Sequence, residues 1–346
     1  MDISELLDFS VKHNASDLHL SAGVPPMIRI DGDVRKLGVP ALGHSDVHQM
    51  LFDIMTDAQK SEFEGHLEVD FSFELPQIGR FRVNAFNQHR GCSAVFRTIP
   101  TSIPTLEELE TPSIFNDISE FEKGLVLVTG PTGSGKSTTL AAMVDHVNRN
   151  FNKHILTIED PIEFIHSNNK CLVNQREVHK DTHSFHAALR SALREDPDVI
   201  LVGELRDQET ISLALTAAET GHLVFATLHT SSAAKTIDRI IDVFPGNDKS
   251  MVRSMLSESL RAVIAQRLLK RTGGGRVACH EIMMATPAIR NLIREDKVAQ
   301  MYSIIQTGAS AGMMTMEQCA KKLLAQGVVD PKEVSRKIEV ESSSFF

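Results

Sequence analysis

Leu125-Val126-Leu127-Val128-Thr129-Gly130-Pro131-Thr132-Gly133-Ser134-Gly135-Lys136-Ser137-Thr138 sets a short apolar run directly against a loop of small residues and a lysine. From Gly130 to Ser137 it satisfies G-x-x-x-x-G-K-[ST] in full. Small residues let the backbone wrap closely around a polyphosphate. The loop N–H groups then point inward, and the following helix brings its positive dipole end to the phosphates. Lys136 is placed to reach the β- and γ-phosphates of ATP, and Ser137 to ligate Mg2+. Gly130, Pro131, Thr132, Gly133, Ser134, Gly135, Lys136, Ser137 and Thr138 are therefore the candidate nucleotide-binding residues. The bare pattern arises by chance in on the order of one chain per hundred. Here an apolar strand precedes it and an apolar-periodic helix follows, as the mechanism requires.

Outward from this loop, strands and helices alternate. Leu125–Val128, Ile155–Ile158, Val199–Val202 and Leu223–Ala226 are short apolar runs that suit parallel strands covered on both faces. Helical segments lie between them at Ser137–Asn148, Ser184–Leu193 and Glu209–Thr220, the last stopped by Gly221. This is an α/β core of βαβ units. Beyond it the pattern predicts mostly helix: Ser250–Arg271, a Gly273-Gly274-Gly275 break, then Pro287–Glu295 and Met313–Gln326. The end, Glu341-Ser342-Ser343-Ser344-Phe345-Phe346, reads as a flexible tail.

Acids follow two of these strands. Glu204 stands just past Val199–Val202, behind Gly203, where many P-loop enzymes carry Asp. In open α/β sheets the ligand sits outside the carboxyl ends of the strands. Glu204 is thus the candidate to face the nucleotide, hold Mg2+ through water or orient the attacking water; the alternative is an acid solvated in a loop. Glu159, Asp160 and Glu163 surround Pro161 after Ile155–Ile158. They divide between metal or water positioning and capping a turn. His222 and His229 flank Leu223–Ala226. Both are read as lying beside the γ-phosphate with a sensing role, against a purely structural one.

The first hundred or so residues form a different, mixed α+β region. Asp31-Gly32 within MIRIDGDVRKL is a hairpin signal. From Gly79 to Phe86 polar and apolar residues alternate, so Phe81, Val83 and Ala85 share one face and Arg80, Arg82 and Asn84 the other. Ser93–Ile99 is read as the partner strand. Prolines then crowd RTIPTSIPTLEELETP, the expected linker and hinge. The expected boundaries are 1–98 for the first domain, 99–112 for the linker, 113–285 for the nucleotide-binding core and 286–346 for a helical region with the tail.

Bulk properties exclude several classes. A formal charge of −9 works against nucleic acid as a partner. No run approaches the ~20 apolar residues of a membrane span, and the start lacks the pattern of a signal peptide; the expectation is a cytoplasmic protein without a direct span. The cysteines, Cys92, Cys171, Cys279 and Cys319, form no C-x-x-C pair. They read as reduced structural residues rather than a zinc site or disulfide framework.

GPTGSGKST, TIEDPIEF, LREDPDVILVGELRDQET and GHLVFATLHTSSA occur in one order. Together they resemble the Walker A, Asp box, Walker B and His box of the secretion ATPase superfamily. The missing tetracysteine cluster and the start directly at ASDLHLSAGVPPMIRIDG resemble its type IV pilus retraction ATPases rather than its extension or secretion motors. AIRNLIRE, from Ala288 to Glu295, is similar to a motif of the retraction, or twitching motility, branch. As physics alone that segment is an amphipathic helix with Arg290 and Arg294 as solvated charges over a packed face. The resemblance implies a PAS-like N-terminal domain, a RecA-like motor domain and a homohexamer. It also implies a catalytic Glu204, Glu163 closing the Asp box, and His222 and His229 serving the His box. The implied partners are an inner-membrane pilus platform protein, to which the ring would be peripheral, and a paralogous retraction ATPase.

Charge accumulating on a γ-phosphoryl needs a cation, and an arginine from a neighbouring subunit adds roughly 10³–10⁵ in rate. Arg80, Arg82 and Arg97 are the candidates. Rival readings are a pilus-extension or type II secretion motor, a nucleic-acid translocase and a non-hydrolysing regulatory ring; the intact Lys136, Ser137 and Glu204 speak against the last.

Overall fold

The computed structural model describes residues 2–99 and 102–339, and the chain divides into two units, Met1–Ser102 and Ile103–Phe346. The expected flexible tail at 341–346 lies outside the described residues.

The first unit runs α1 (Ile3–Lys12), β1 (Asp17–Ser21), β2 (Met27–Ile30), β3 (Asp33–Lys36), α2 (His44–Ile54), α3 (Asp57–His66), β4 (Glu68–Leu75), β5 (Gly79–Gln88) and β6 (Gly91–Ile99). Its strands form one antiparallel sheet in the order β3-β2-β1-β6-β5-β4. The hairpin signal is realised between β2 and β3, where Asp31 and Gly32 take φ of 50° and 90°. Two positive φ values make the turn whose twist suits a tight hairpin. Phe81, Val83 and Ala85 are wholly buried, as the alternation predicts. They pack with Leu7, Leu18, Leu51 and Phe96.

The second unit runs α4 (Ile114–Ser119), β7 (Gly124–Thr129), α5 (Lys136–Asn150), β8 (His154–Glu159), β9 (Leu172–Glu177), α6 (Phe185–Ala192), β10 (Val199–Val202), α7 (Gln208–Glu219), β11 (Leu223–Leu228), α8 (Ala233–Asp242), α9 (Lys249–Ser259), β12 (Leu260–Lys270), β13 (Arg276–Met284), α10 (Pro287–Arg294), α11 (Met301–Thr307) and α12 (Met316–Ala325). The sheet order is β13-β12-β7-β11-β10-β8-β9. Every neighbouring pair is parallel except β12–β13. One face packs on α5 and the other on α6 to α9, so β7, β10 and β11 are buried along their whole length.

Two expectations change. The helix expected over Ser250–Arg271 stops at Ser259, and Leu260–Lys270 is an inner strand between β7 and β13. A strand buried on both faces loses its period of two and reads like a buried helix; no Pro or Gly separates it from α9. The helix expected from Met313 begins at Met316. Thr315 and Gln318 close a capping box there, with Thr315 Oγ1 accepting from Gln318 N at 3.2 Å and Gln318 Oε1 from Thr315 N at 2.9 Å. The division between the two units, at Ser102 and Ile103, falls inside the expected linker, three of whose described residues are held in place. Ile99 belongs to β6, Leu106 is buried in the second unit's core, and Glu110 pairs with Arg271 at 2.8 Å.

AIRNLIRE forms α10, capped by Thr286 and with Ile289 and Ile293 fully buried. Arg290 is not a solvated charge. Its guanidinium donates to the carbonyls of Ala285, Ser257, Glu258 and Leu260 at 2.8, 3.2, 3.0 and 3.4 Å. It thereby satisfies orphan carbonyls at the end of α9. Arg294 stays exposed and pairs with Glu258 at 3.0 Å. All four cysteines are free and buried. Among the described residues, no helix is long and apolar enough to cross a membrane.

Candidate active site

β7 ends at Thr129, level with Leu228 of β11 and Ala265 of β12. The chain then turns through Gly130–Gly135 into α5. Gly130 has φ of 146°, and a Cβ there would lie 2.3 Å from the Gln266 carbonyl oxygen. Gly135 has φ of 86°, with Gln266 Nε2 only 2.9 Å from the position of an added Cβ. Gly133, at φ 78°, has nothing within 4 Å and lies with Pro131 and Thr132 on the exposed rim. Ser134 N donates to Pro131 O at 3.2 Å, while its hydroxyl is buried without a partner among the described residues. An orphaned donor inside a loop at a helix N-terminus fits a phosphate oxygen. Ser137 and Thr138 sit half-buried in the first turn of α5.

Lys136 Nζ donates to Gly130 O at 2.8 Å and Pro131 O at 3.2 Å, and lies 3.5 Å from His229 Nδ1. His229 Nε2 is 3.4 Å from Glu204 Oε1, and Glu204 Oε2 pairs with Arg206 at 2.7 Å. An ammonium can only donate, so in a hydrogen bond between Lys136 and His229 the acceptor is Nδ1. Burial lowers the Lys136 pKa, opposed by the charges of Glu204 and Glu163; Glu163 is thus brought within electrostatic reach of the loop. Burial also pushes the Glu204 carboxyl up. Arg206, by hydrogen bond and charge, and His229 outweigh it and hold the pKa below the ordinary carboxylate value. A cavity of about 370 Å³ opens beside the loop, lined by Pro131, His229, Thr230, Ser231, Lys235 and Arg267. That volume is within the range of small-molecule sites. Gly203 is explained by crowding, since a Cβ would meet Ile158 O at 3.2 Å and Phe185 at 3.4 Å.

Other expected site residues lie elsewhere. Glu159 is turned into its own sheet, accepting from Thr157 Oγ1 at 2.6 Å and Gln175 Nε2 at 3.2 Å. Asp160 is exposed and contributes only its charge, felt by Arg206. The two histidines expected to flank the γ-phosphate stand at opposite ends of β11, and only His229 is beside the loop. His222 precedes β11, beside Gly124, whose N–H donates to His222 O at 3.0 Å, at the strand's amino end. β11 separates it from His229 by about 20 Å at ~3.3 Å per residue. Its Nδ1 lies 2.9 Å from Ala217 O, which closes the end of α7. Arg80, Arg82 and Arg97 belong to the first unit. Arg80 reaches Ser72 Oγ at 3.4 Å, Arg97 pairs with buried Asp17 at 3.0 Å, and Arg82 sits directly opposite Arg97.

Sequence reasoning missed Gln266. Its Nε2 donates to Ser134 O at 2.7 Å and its Oε1 accepts from Thr139 Oγ1 at 2.8 Å. The residue was hidden inside the segment misread as helix. Arg206 carries no signal of its own in the sequence, because only the turn after β10 brings it back onto Glu204.

The profile of the family described as "Type II/IV secretion system protein" matches residues 2–336. The chain belongs to this family. It is 67% identical over 340 residues to the type IV pilus retractation ATPase PilT of Pseudomonas aeruginosa, covering 98% of this chain and 99% of that one. It is 60% identical over 322 residues to the twitching motility protein of Neisseria gonorrhoeae, covering 93% and 86%. Among solved structures, the pilus retraction motor PilT with bound ADP superposes with a TM-score of 0.87 at 47% identity, over 97% of this chain and 96% of that one. The fold class read from the sequence therefore holds: an α/β P-loop ATPase of the secretion family with an α+β N-terminal unit.

Proposed function

We propose that this chain hydrolyses ATP as a homohexamer to power retraction of type IV pili. The observation that carries this is the contact chain Lys136–His229–Glu204–Arg206 at the mouth of the phosphate loop, in a chain 67% identical to a retraction ATPase. The loop N–H groups and the α5 N-terminus bind the β- and γ-phosphates, and Lys136 leaves its own loop carbonyls for them. Ser137 and Glu204, both oxygen donors suited to a hard cation, would hold Mg2+, which neutralises phosphate charge when bound. Glu204, kept as a carboxylate by Arg206, orients the attacking water. His229 spans Lys136 and Glu204 and reports whether a γ-phosphate is between them. Glu163 adds negative charge facing Lys136.

A neighbouring subunit supplies the remaining cation. Arg97 is committed to Asp17, and no hydrogen bond or ion pair to Arg82 is found among the described residues. Two like charges opposite each other on a sheet repel, which favours an outside anion as the partner of Arg82. Doping Arg82→Ala subunits into parent rings is expected to depress ATPase activity more than in proportion to their fraction; strictly proportional loss removes Arg82 from this role. The ring acts on an inner-membrane platform protein that disassembles the pilus, with a paralogous ATPase as a second partner. Deleting the gene should leave cells with excess immobile pili, restored by the parent chain and not by Lys136→Ala. A deletion strain without pili would instead identify an extension motor.

A further inference from the structure

Three glycines shape the phosphate loop, and two of them answer to one residue, Gly130 to its backbone and Gly135 to its side chain. A Cβ at Gly130 would strike the backbone oxygen of Gln266, and one at Gly135 would strike its amide nitrogen. Gly133 alone faces open space, where a ligand approaches. Gln266 itself is 2% exposed and Thr139 likewise 2%. One amide orientation satisfies both of its bonds, the nitrogen on the Ser134 carbonyl and the oxygen on the Thr139 hydroxyl. Register explains the reach. Ala265 of β12 is level with Thr129 of β7, so the next side chain stands beside the first residue of the loop.

We propose that Gln266 is a positioning residue that holds the phosphate loop preformed for a nucleoside di- or triphosphate and ties it to α5 through Thr139. A loop with glycines at φ of 146°, 78° and 86° is free to wander once unfastened, because glycine opens the most conformational space. Binding affinity then falls by the fraction of molecules whose loop is competent. The strut touches loop backbone rather than reacting atoms. Its loss therefore weakens ADP and ATP alike and leaves the chemical step of bound ATP nearly intact, the signature of uniform binding. Buried bonds of this kind are strong and costly to leave half-made.

The test uses the full chain, with ADP titrated calorimetrically and ATP turnover measured at steady state. Gln266→Met keeps the length and removes both bonds. ADP Kd and KM for ATP should each rise about tenfold, with kcat within about twofold of the parent. Thr139→Val should weaken ADP binding less, and Thr139→Ser should restore it. If Gln266→Met does not fold, as judged by circular dichroism and Tm, the Thr139 pair decides by the same readout. Parent-like ADP affinity in the folded variants, or a fall in kcat at unchanged KM, overturns the role of Gln266. The role rests on the loop gripping a nucleotide, and a parent chain that binds no ADP would sink that reading instead.

Discussion

At the carboxyl ends of β7, β10 and β11, Lys136 rests on its own loop carbonyls, His229 stands 3.5 and 3.4 Å from its neighbours, and Ser134 Oγ is buried without a partner among the described residues. At the amino ends of the same sheet, polar side chains close on backbone oxygens. His222 lies 2.9 Å from Ala217 O, Arg261 donates to Lys123 O at 3.0 Å, and Arg290 donates to Ala285 O at 2.8 Å. Buried polar groups are normally satisfied. Of the two ends, the first leaves Ser134 Oγ unpartnered among the described residues and His229 at long distance from its neighbours, and the second closes its named side chains on backbone oxygens. AIRNLIRE belongs to the second, since Arg290 also caps Leu260 at the start of β12. That helix is thus anchored at the amino ends of the strands, beside the end of α9 and the start of β12.

The largest expected effect separates chemistry from binding at the ligand end. Glu204→Gln should lower kcat by about 10²–10⁴ while leaving ADP affinity close to the parent's. A matching loss of ADP affinity would show that Glu204 helps hold the nucleotide rather than the attacking water.

A smaller effect tests the two ends against each other on one strand. His229→Ala should cut ATP turnover about tenfold, because it removes the bridge between Lys136 and Glu204. His222→Ala should leave turnover per folded molecule within about twofold and instead lower Tm by a few degrees. Equal losses of turnover would erase the distinction between the ends.

The smallest effect is a shift along the pH axis. Burial raises the Glu204 pKa, and Arg206 with His229 outweighs burial and lowers it. In Arg206→Gln the burial effect loses its main opponent and the pKa rises. The acidic limb of the kcat profile should then move to higher pH, with the neutral plateau little changed. An unmoved limb would mean that Arg206 does not tune the carboxylate.

How legible this was in the sequence follows from the same geometry. The parallel strands were readable because burial on both faces makes continuous apolar runs, as in Leu125–Val128. That property also disguised β12, whose Ala262–Ala265 run continues from α9 without a breaker, and Gln266 was lost with it. The phosphate loop was readable because its chemistry is local to consecutive residues. His222 and His229 look alike in sequence, each flanking one apolar run. Only the direction of β11 separates the one beside the phosphate loop from the one at the opposite end of the strand. Arg290 was misjudged because a helix wheel shows which face is polar and not which carbonyls lie within reach of it.

Determining the structure of the full chain with a non-hydrolysable ATP analogue tests the central claim most directly. The terminal phosphate should lie among Lys136, His229 and Glu204, with Lys136 Nζ moved off the carbonyls of Gly130 and Pro131. An analogue bound away from this loop, or Glu204 turned from the phosphate while Lys136 keeps its loop contacts, would contradict it.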